Sequence, residues 1–164
     1  MEDHRSSGIL LAVSSLPGPY GIGSLGGPAR RFVDFLAEAG QHYWQILPLV
    51  PPGDGSSPYM SPSAFAGNPY LIDLDELAAE GLLTPQELDG ARWPDPDRVD
   101  YDHLAQTRIP LLRKAWERSQ TAHLQSDAPD LPWLEDYCTF AALHDRYQAP
   151  FWQWPEDAPP PEPE

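Results

Sequence analysis

The stretch Gly53-Asp-Gly-Ser-Ser-Pro-Tyr-Met-Ser-Pro-Ser-Ala-Phe-Ala-Gly-Asn-Pro-Tyr-Leu-Ile-Asp-Leu74 has neither helical nor strand periodicity, and its reading decides the fold. A structureless run of about 20 residues inside a compact chain is uncommon, and is either functional or disordered. Disorder is the poorer reading, because Tyr59, Phe65 and Tyr70 are spaced through the run and favour apolar burial. Pro58, Pro62 and Pro69 each fix φ and restrict the preceding residue, which stiffens the backbone. Stiff backbone, hydroxyls and spaced rings suit the wall of a cleft, so we read residues 53–74 as a binding loop. Within it Tyr59 is the leading candidate, held between two prolines and flanked by Ser56-Ser57 and Ser61. A ring presented beside hydroxyls suits the apolar face and polar edge of a sugar. The competing reading is that Tyr59 packs its own loop.

Immediately upstream, residues 43–49 form an apolar, strand-like run. Residues 8–16 form another, apolar on both faces, as in a parallel sheet covered on both sides. Between them Pro28 opens a helix over 28–39, with Ala29, Phe32, Val33 and Leu36 at helical spacing and Gly40 as its stop. Strand, helix and strand make a βαβ unit with a right-handed crossover. The loop leaves the carboxyl end of the second strand, where ligands bind in open α/β sheets and in (β/α)8 barrels. Gly21-x-Gly23-x-x-Gly26 matches a dinucleotide-binding spacing, but no acidic residue ends a second strand in the right place. A plain loop is the better reading.

Downstream the pattern turns helical. Asp73-Leu-Asp-Glu76 and Thr84-Pro-Gln-Glu87 are capping-box patterns. After a polar link over 90–98, a helix is predicted over 101–121 with Leu104, Leu111, Leu112 and Ala115 inward, kinked or interrupted by Pro110. A further helix over 132–147 carries Trp133, Tyr137, Phe140 and His144, the last read as a core histidine. Phe151-Trp-Gln-Trp-Pro155 is an aromatic anchor. Residues 156–164, acidic and proline-rich, are expected to be disordered. The organisation expected is thus 1–74 as the start of an α/β domain, 75–155 as a mainly helical subdomain, and a tail. Two parallel strands make no stable sheet and a (β/α)8 barrel needs ~250 residues. Either further strands lie in the second half, or the chain is the front of a longer one.

The 164 residues carry 25 acidic and 10 basic side chains, a net charge of −15. That balance argues against nucleic acid and anionic membranes as partners, since both need clustered Lys and Arg. The 21 prolines are more than twice the usual ~5%, yet 41% hydrophobic content is that of a globular chain. A single cysteine, Cys138, forbids an internal disulfide and is read as a buried thiol in a reducing, cytoplasmic protein. The first residues lack a basic segment and an apolar core of signal-peptide length. The five histidines show no metal-ligand spacing, and no cofactor motif occurs. Of the acids near the loop, Asp54 reads as a turn residue and Asp73, Asp75 and Glu76 as a helix start.

Several of these segments together are distinctive. Gly8-Ile-Leu-Leu11, Ser15-Leu-Pro-Gly-Pro-Tyr-Gly-Ile-Gly23, Tyr43-Trp-Gln-Ile-Leu-Pro-Leu49, Ser57-Pro-Tyr59 and Ser63-Ala-Phe-Ala-Gly-Asn-Pro-Tyr-Leu-Ile-Asp-Leu74 strongly resemble the N-terminal part of 4-α-glucanotransferases, the amylomaltases or disproportionating enzymes. Val99-Asp-Tyr101, Trp133-Leu-Glu-Asp-Tyr137 and Trp152-Gln-Trp-Pro155 extend the likeness, while the tail after Pro155 matches nothing in the pattern. The resemblance implies a partial (β/α)8 TIM barrel, its first βαβ unit and cleft loop followed by helical insertion segments. It further implies transfer of α-1,4-glucan segments between maltodextrins by a retaining mechanism with an Asp nucleophile and a Glu acid/base. Carried over by position, Tyr59 is the aromatic at the sugar cleft and Ser57 its polar neighbour. Neither catalytic carboxylate has a counterpart in this chain. It departs from the family at Asp54 and Ser56, where an aromatic and an acidic residue are usual. Met60 stands for a common glutamine and Ala12 for a common histidine. The rival reading is a non-catalytic α-glucan-binding protein derived from the same family.

Overall fold

The structure, a computed structural model, describes residues 5–93, 97–121, 131–156 and 158, leaving aside the Asp54 side chain. The chain divides into two compact units, Met1–Gln125 and Ser126–Glu164. In the first, strand β1 (Gly8–Leu10) pairs in parallel with β2 (Tyr43–Gln45) in the register Gly8–Tyr43, Ile9–Trp44 and Leu10–Gln45. Helix α1 (Gly27–Glu38) connects them. The parallel pairing is the one expected of a βαβ unit, but the strands are shorter than the apolar runs that hold them. Past Leu10 the chain turns into a 3-10 turn at Val13–Ser15, and past Gln45 no further ladder forms among the described residues. Helix α1 stops where Gly40 takes φ of +68° and its N–H reaches the Ala37 carbonyl at 3.1 Å, while Gln41 bonds back to Leu36.

Three helices complete the first unit: α2 (Leu74–Ala79), α3 (Pro85–Ala91) and α4 (Tyr101–Thr121). Both predicted helix starts form. Asp73 Oδ1 accepts from the N–H groups of Asp75 and Glu76 at 2.9 and 3.2 Å. Thr84 and Glu87 close a reciprocal capping box. Glu76, however, turns outward to pair with Arg30 instead of closing a box of its own. Pro110 does not interrupt α4, which is helical throughout. The carbonyl left without a helical donor belongs to Gln106, an exposed residue on the solvent side of the helix.

Among the described residues the core comes in two clusters, whose buried members all lie outside the two strands. Leu74, Leu82, Leu83, Leu88, Leu111 and Ala115 surround the ring of Tyr20. Val13, Leu16, Ile22, Leu71 and Leu104 form the second, with Phe32 and Trp44 packed against it. The three glycines of the 21–26 loop serve this packing. Gly21 holds φ of +75° against the Trp93 indole, and a Cβ on Gly26 would lie 2.0 Å from Asp73 Oδ2. That close backbone approach explains their spacing without a phosphate ligand.

Helices α3 and α4 are joined by Arg118, whose guanidinium makes a two-pronged contact with Glu87 at 2.8 and 2.9 Å and also reaches the Leu82 carbonyl. Arg118 and the Thr84 N–H hold the Glu87 carboxyl well below its ordinary value of 4.5. A carboxyl depressed in the folded state adds stability that is complete above its unfolded value and is lost as pH falls. The difference in stability between the wild type and Glu87→Gln is therefore expected to be constant above about pH 5 and to shrink below it. Urea unfolding followed from pH 7 down to pH 3 checks this; a difference unchanged over that range would show that the pair contributes nothing.

In the second unit α5 (Leu134–Tyr147) is followed by a 3-10 turn at Phe151–Gln153. Its aromatic anchor forms, with the Trp154 ring 5.5 Å from Phe140 and 6.0 Å from Tyr147. No residue of α5 is buried, and both Cys138 and His144 are exposed. The readings of Cys138 as a buried thiol and of His144 as a core residue are therefore corrected. The apolar stripe of α5 is lightly covered by aromatic rings, which leaves its other faces open. The expectation of disorder at 156–164 falls, apart from Glu156 and Ala158, outside the described residues. No helix among the described residues is long and apolar enough to cross a membrane.

Candidate functional site

The loop 53–74 is held by its own side chains. The Ser57 hydroxyl oxygen accepts the Tyr59 N–H at 3.3 Å and opens the 3-10 turn Pro58–Met60. Ser63 Oγ accepts from Phe65 and Ala66, and Asn68 Oδ1 accepts from Tyr70 ahead of a second turn at Pro69–Leu71. Each short polar residue satisfies backbone groups that no helix or sheet would. The loop is pinned at both ends, by the Asn68 N–H on the Leu49 carbonyl and by the Leu25 N–H on the Leu71 carbonyl, both at 2.8 Å.

This scaffold leaves two of its three rings at the surface. Tyr59 is 71% exposed and Phe65 72%, whereas Tyr70 is half-buried edge-on to Tyr101 at 5.5 Å. The burial expected of all three rings is met only by Tyr70. The reading of Tyr59 as mere loop packing loses its basis.

Two cavities lie at the carboxyl ends of the strands. One, about 240 Å³, is walled by Ala12–Ser15 after β1, by Leu47–Val50 and Pro52 after β2, and by Ser56, Pro58, Asn68, Leu71 and Tyr101. The other, about 280 Å³, lies between residues 14–18 and Asp97, Arg98 and Val99. Ser14 and Ser15 belong to both and separate them. Ser57 and Tyr59 are not on the wall of either cavity; they flank its rim residues Ser56 and Pro58. The sequence reading missed Ser14, Ser15 and Tyr101. A signal for the serines was present, since they are the polar residues near the end of the apolar run 8–16, at the strand end where ligands bind. Burial raises the Tyr101 phenol above its ordinary value, partly offset by its hydrogen bond with Ser14, so it is a neutral hydroxyl at the cavity wall.

Three of the acids beside the loop, Asp73, Asp75 and Glu76, are engaged. Asp73, buried, caps α2 with one oxygen and accepts from Ser24 Oγ at 2.7 Å with the other. Asp75 accepts from the Tyr20 hydroxyl, and Glu76 pairs with Arg30. Burial, together with Asp75, pushes the Tyr20 phenol up. Below this cluster lies Arg108, 2% exposed, whose guanidinium donates to the carbonyl of Ile72 at the end of the loop. No group of three or more metal-ligating side chains occurs among the described residues.

Strand ends, a capped loop and paired cavities make an α/β type of ligand site, and comparison with known proteins places the chain in a family. The chain belongs to glycoside hydrolase family 77: the family model, 4-alpha-glucanotransferase, matches residues 11–164. That match takes in the tail after Pro155, which the sequence pattern had left outside. The chain is similar to the 4-alpha-glucanotransferase of Thermus thermophilus, at 46% identity over 94% of this chain and 32% of that protein. It is similar to that of Synechocystis sp. at 44% identity, over 96% of this chain and 33% of the other. Among solved structures it resembles an amylomaltase from Streptococcus agalactiae in complex with acarbose, with a TM-score of 0.80 and 38% identity, over 93% of this chain and 32% of that one. The chain thus spans a third of the length of the curated relatives it matches.

Proposed function

We propose that this chain is the N-terminal portion of a 4-α-glucanotransferase, which moves α-1,4-glucan segments between maltodextrins by a retaining mechanism. In this reading residues 1–74 begin a (β/α)8 barrel and present the cleft loop, and 75–155 are its helical insertion. The observation that carries it is the cavity between the ends of two parallel strands and the capped loop, in a chain of this family. Tyr59 and Ser57 form the sugar-facing rim. Their support is the exposure of the Tyr59 ring on a turn that Ser57 and Pro58 hold stiff. Bound acarbose in the amylomaltase relative supports an α-glucan as ligand. Retaining transfer needs two carboxyl groups about 5–5.5 Å apart across the scissile bond. Asp73, Asp75 and Glu76 are each committed to a cap, a phenol or an arginine, which supports a reading in which none of the three is the nucleophile or the acid/base.

The purified chain incubated with maltotriose is accordingly expected to yield neither longer dextrins nor glucose on chromatography. Longer dextrins that vanish in Asp73→Asn would overturn the assignment of Asp73 as a cap. In a complete enzyme built on this sequence, Tyr59→Ala is expected to raise KM for maltotriose and lower kcat/KM roughly five-fold, the loss of about 1 kcal/mol of stacking. Unchanged kinetics would remove Tyr59 from the cleft.

A further inference from the structure

Asparagine occurs once in the 164 residues, at Asn68, between Gly67 and Pro69 of the cleft loop. It caps the turn Pro69–Leu71 by accepting the Tyr70 N–H at 3.0 Å. A cap needs only an oxygen, and serine or aspartate supplies one as well as asparagine does. Elsewhere the chain uses such residues: Ser57, Ser63, Asp73 and Thr84 each accept a backbone N–H with a side-chain oxygen. None of those four lies on the wall of either cavity, whereas Asn68 lines the one of about 240 Å³.

Asn68 has four polar groups, and three are engaged within the protein. Its N–H donates to the Leu49 carbonyl at 2.8 Å, its carbonyl accepts from Leu71 at 3.1 Å, and Oδ1 makes the cap. The cap settles which way the amide is turned, because a backbone N–H can bond its oxygen and not its nitrogen. Nδ2 is left, with two N–H donors and no hydrogen-bond partner among the described residues. Three bonds and the following proline thus fix this donor before any ligand arrives.

Among the described residues the cavity wall carries no charged side chain, and its other polar groups are the hydroxyls of Ser14, Ser15, Ser56 and Tyr101. Its volume lies just below the roughly 300–1,000 Å³ of pockets that hold drug-sized molecules. An uncharged wall of that size suits one neutral, hydroxyl-bearing unit. Hydroxyls donate and accept alike, so they recognise no particular atom. A fixed amide N–H only donates, and it selects for an oxygen acceptor at one place on the ligand.

We infer that Asn68 is a specificity-determining residue of the cleft: its Nδ2 donates to an oxygen of a bound glucose unit, and its own cap aims it there. The inference rests on the proposed function above, whose sugar-facing residues were Tyr59 and Ser57.

The single asparagine makes the test direct. The chain labelled with nitrogen-15 in asparagine alone shows one side-chain NH2 pair and one backbone amide, both from Asn68. Titration with maltotriose is expected to move the side-chain pair saturably and the backbone amide, tied to Leu49, much less. Sorbitol at equal hydroxyl concentration is expected to move neither. Asn68→Ser and Asn68→Asp keep an oxygen for the cap and lose the donor. In a complete enzyme built on this sequence, Asn68→Ser is expected to raise KM for maltotriose about fivefold with kcat nearly unchanged, the scale of one neutral hydrogen bond. A folding defect would act the other way, lowering kcat through fewer active molecules and leaving KM as it was. A side-chain pair that stays put in a large excess of maltotriose, equal shifts with sorbitol, or a wild-type KM in Asn68→Ser would each overturn the inference while transfer by the wild type left the proposed function standing. A pair that moves with maltotriose in a chain whose complete enzyme transfers no glucan would instead refute the proposed function and keep Asn68 as a sugar contact.

Discussion

Arg108→Ala is expected to lower the free energy of unfolding by about 3 kcal/mol, the scale of losing a buried, hydrogen-bonded charge. Arg108 is the most buried charged residue described, at 2% exposure in the middle of α4. One of its nitrogens donates to the Ile72 carbonyl, while Nε and Nη1 have no hydrogen-bond partner. Burial draws its pKa down to about 10, and Asp73, Tyr20 and Asp75 oppose that shift by favouring the cation. Alanine leaves a cavity, strands the Ile72 carbonyl and removes the positive field beside two carboxylates. Arg108→Met separates these effects, because it fills the volume and discards the desolvation cost of the charge. Methionine is expected to be clearly more stable than alanine, by about 1–2 kcal/mol. Urea unfolding of the three proteins decides it. Equal losses in both variants would mean that the guanidinium itself, not its volume, holds the end of the loop. A loss under about 1 kcal/mol in the alanine variant would show that the buried cation scarcely stabilises the fold.

Asp73→Ala is expected to cost about 2–3 kcal/mol, more than an exposed helix cap. A surface cap satisfies backbone groups that water would otherwise serve. Asp73 is 7% exposed and serves three donors: the N–H groups of Asp75 and Glu76, and Ser24 Oγ. The alanine variant leaves the Ser24 hydroxyl, itself buried, without its acceptor. Asp73→Asn retains an oxygen for the cap and is expected to lose about 1 kcal/mol. The two values can be read from thermal or urea unfolding of the same chain. If asparagine were as damaging as alanine, the negative charge beside Arg108, rather than the hydrogen bonds, would be the stabilising element. A fully wild-type Asp73→Ala would leave Ser24 and the glycine at 26 without a reason for their placement.

The parts of this fold legible in the sequence are those decided within a few residues. Thr84-Pro-Gln-Glu87 and Asp73 start helices because the groups that satisfy the first N–H donors lie two or three positions away. Helix α1 and its glycine stop follow from spacing and from a backbone that only glycine adopts cheaply. The loop could be recognised as ordered because its prolines and hydroxyls act on their own neighbours, as the caps at Ser57, Ser63 and Asn68 bear out.

Tertiary contact decided the rest. Spacing marks the apolar side of α5 but not whether anything lies against it, so Cys138 and His144 were placed inside and are outside. A strand exists only where a distant segment pairs with it, so two long apolar runs yield three paired residues each. Arg108 falls in the stripe Leu104, Arg108, Leu111 and Ala115, all buried, and that spacing was the signal available for it. What makes an arginine tolerable there is a carbonyl 36 residues earlier in the chain and two carboxylates beside it. Helix starts, turns and loop stiffness were set by chemistry between near neighbours. Burial, strand length and the place of the cavities were set by residues that only the fold brings together.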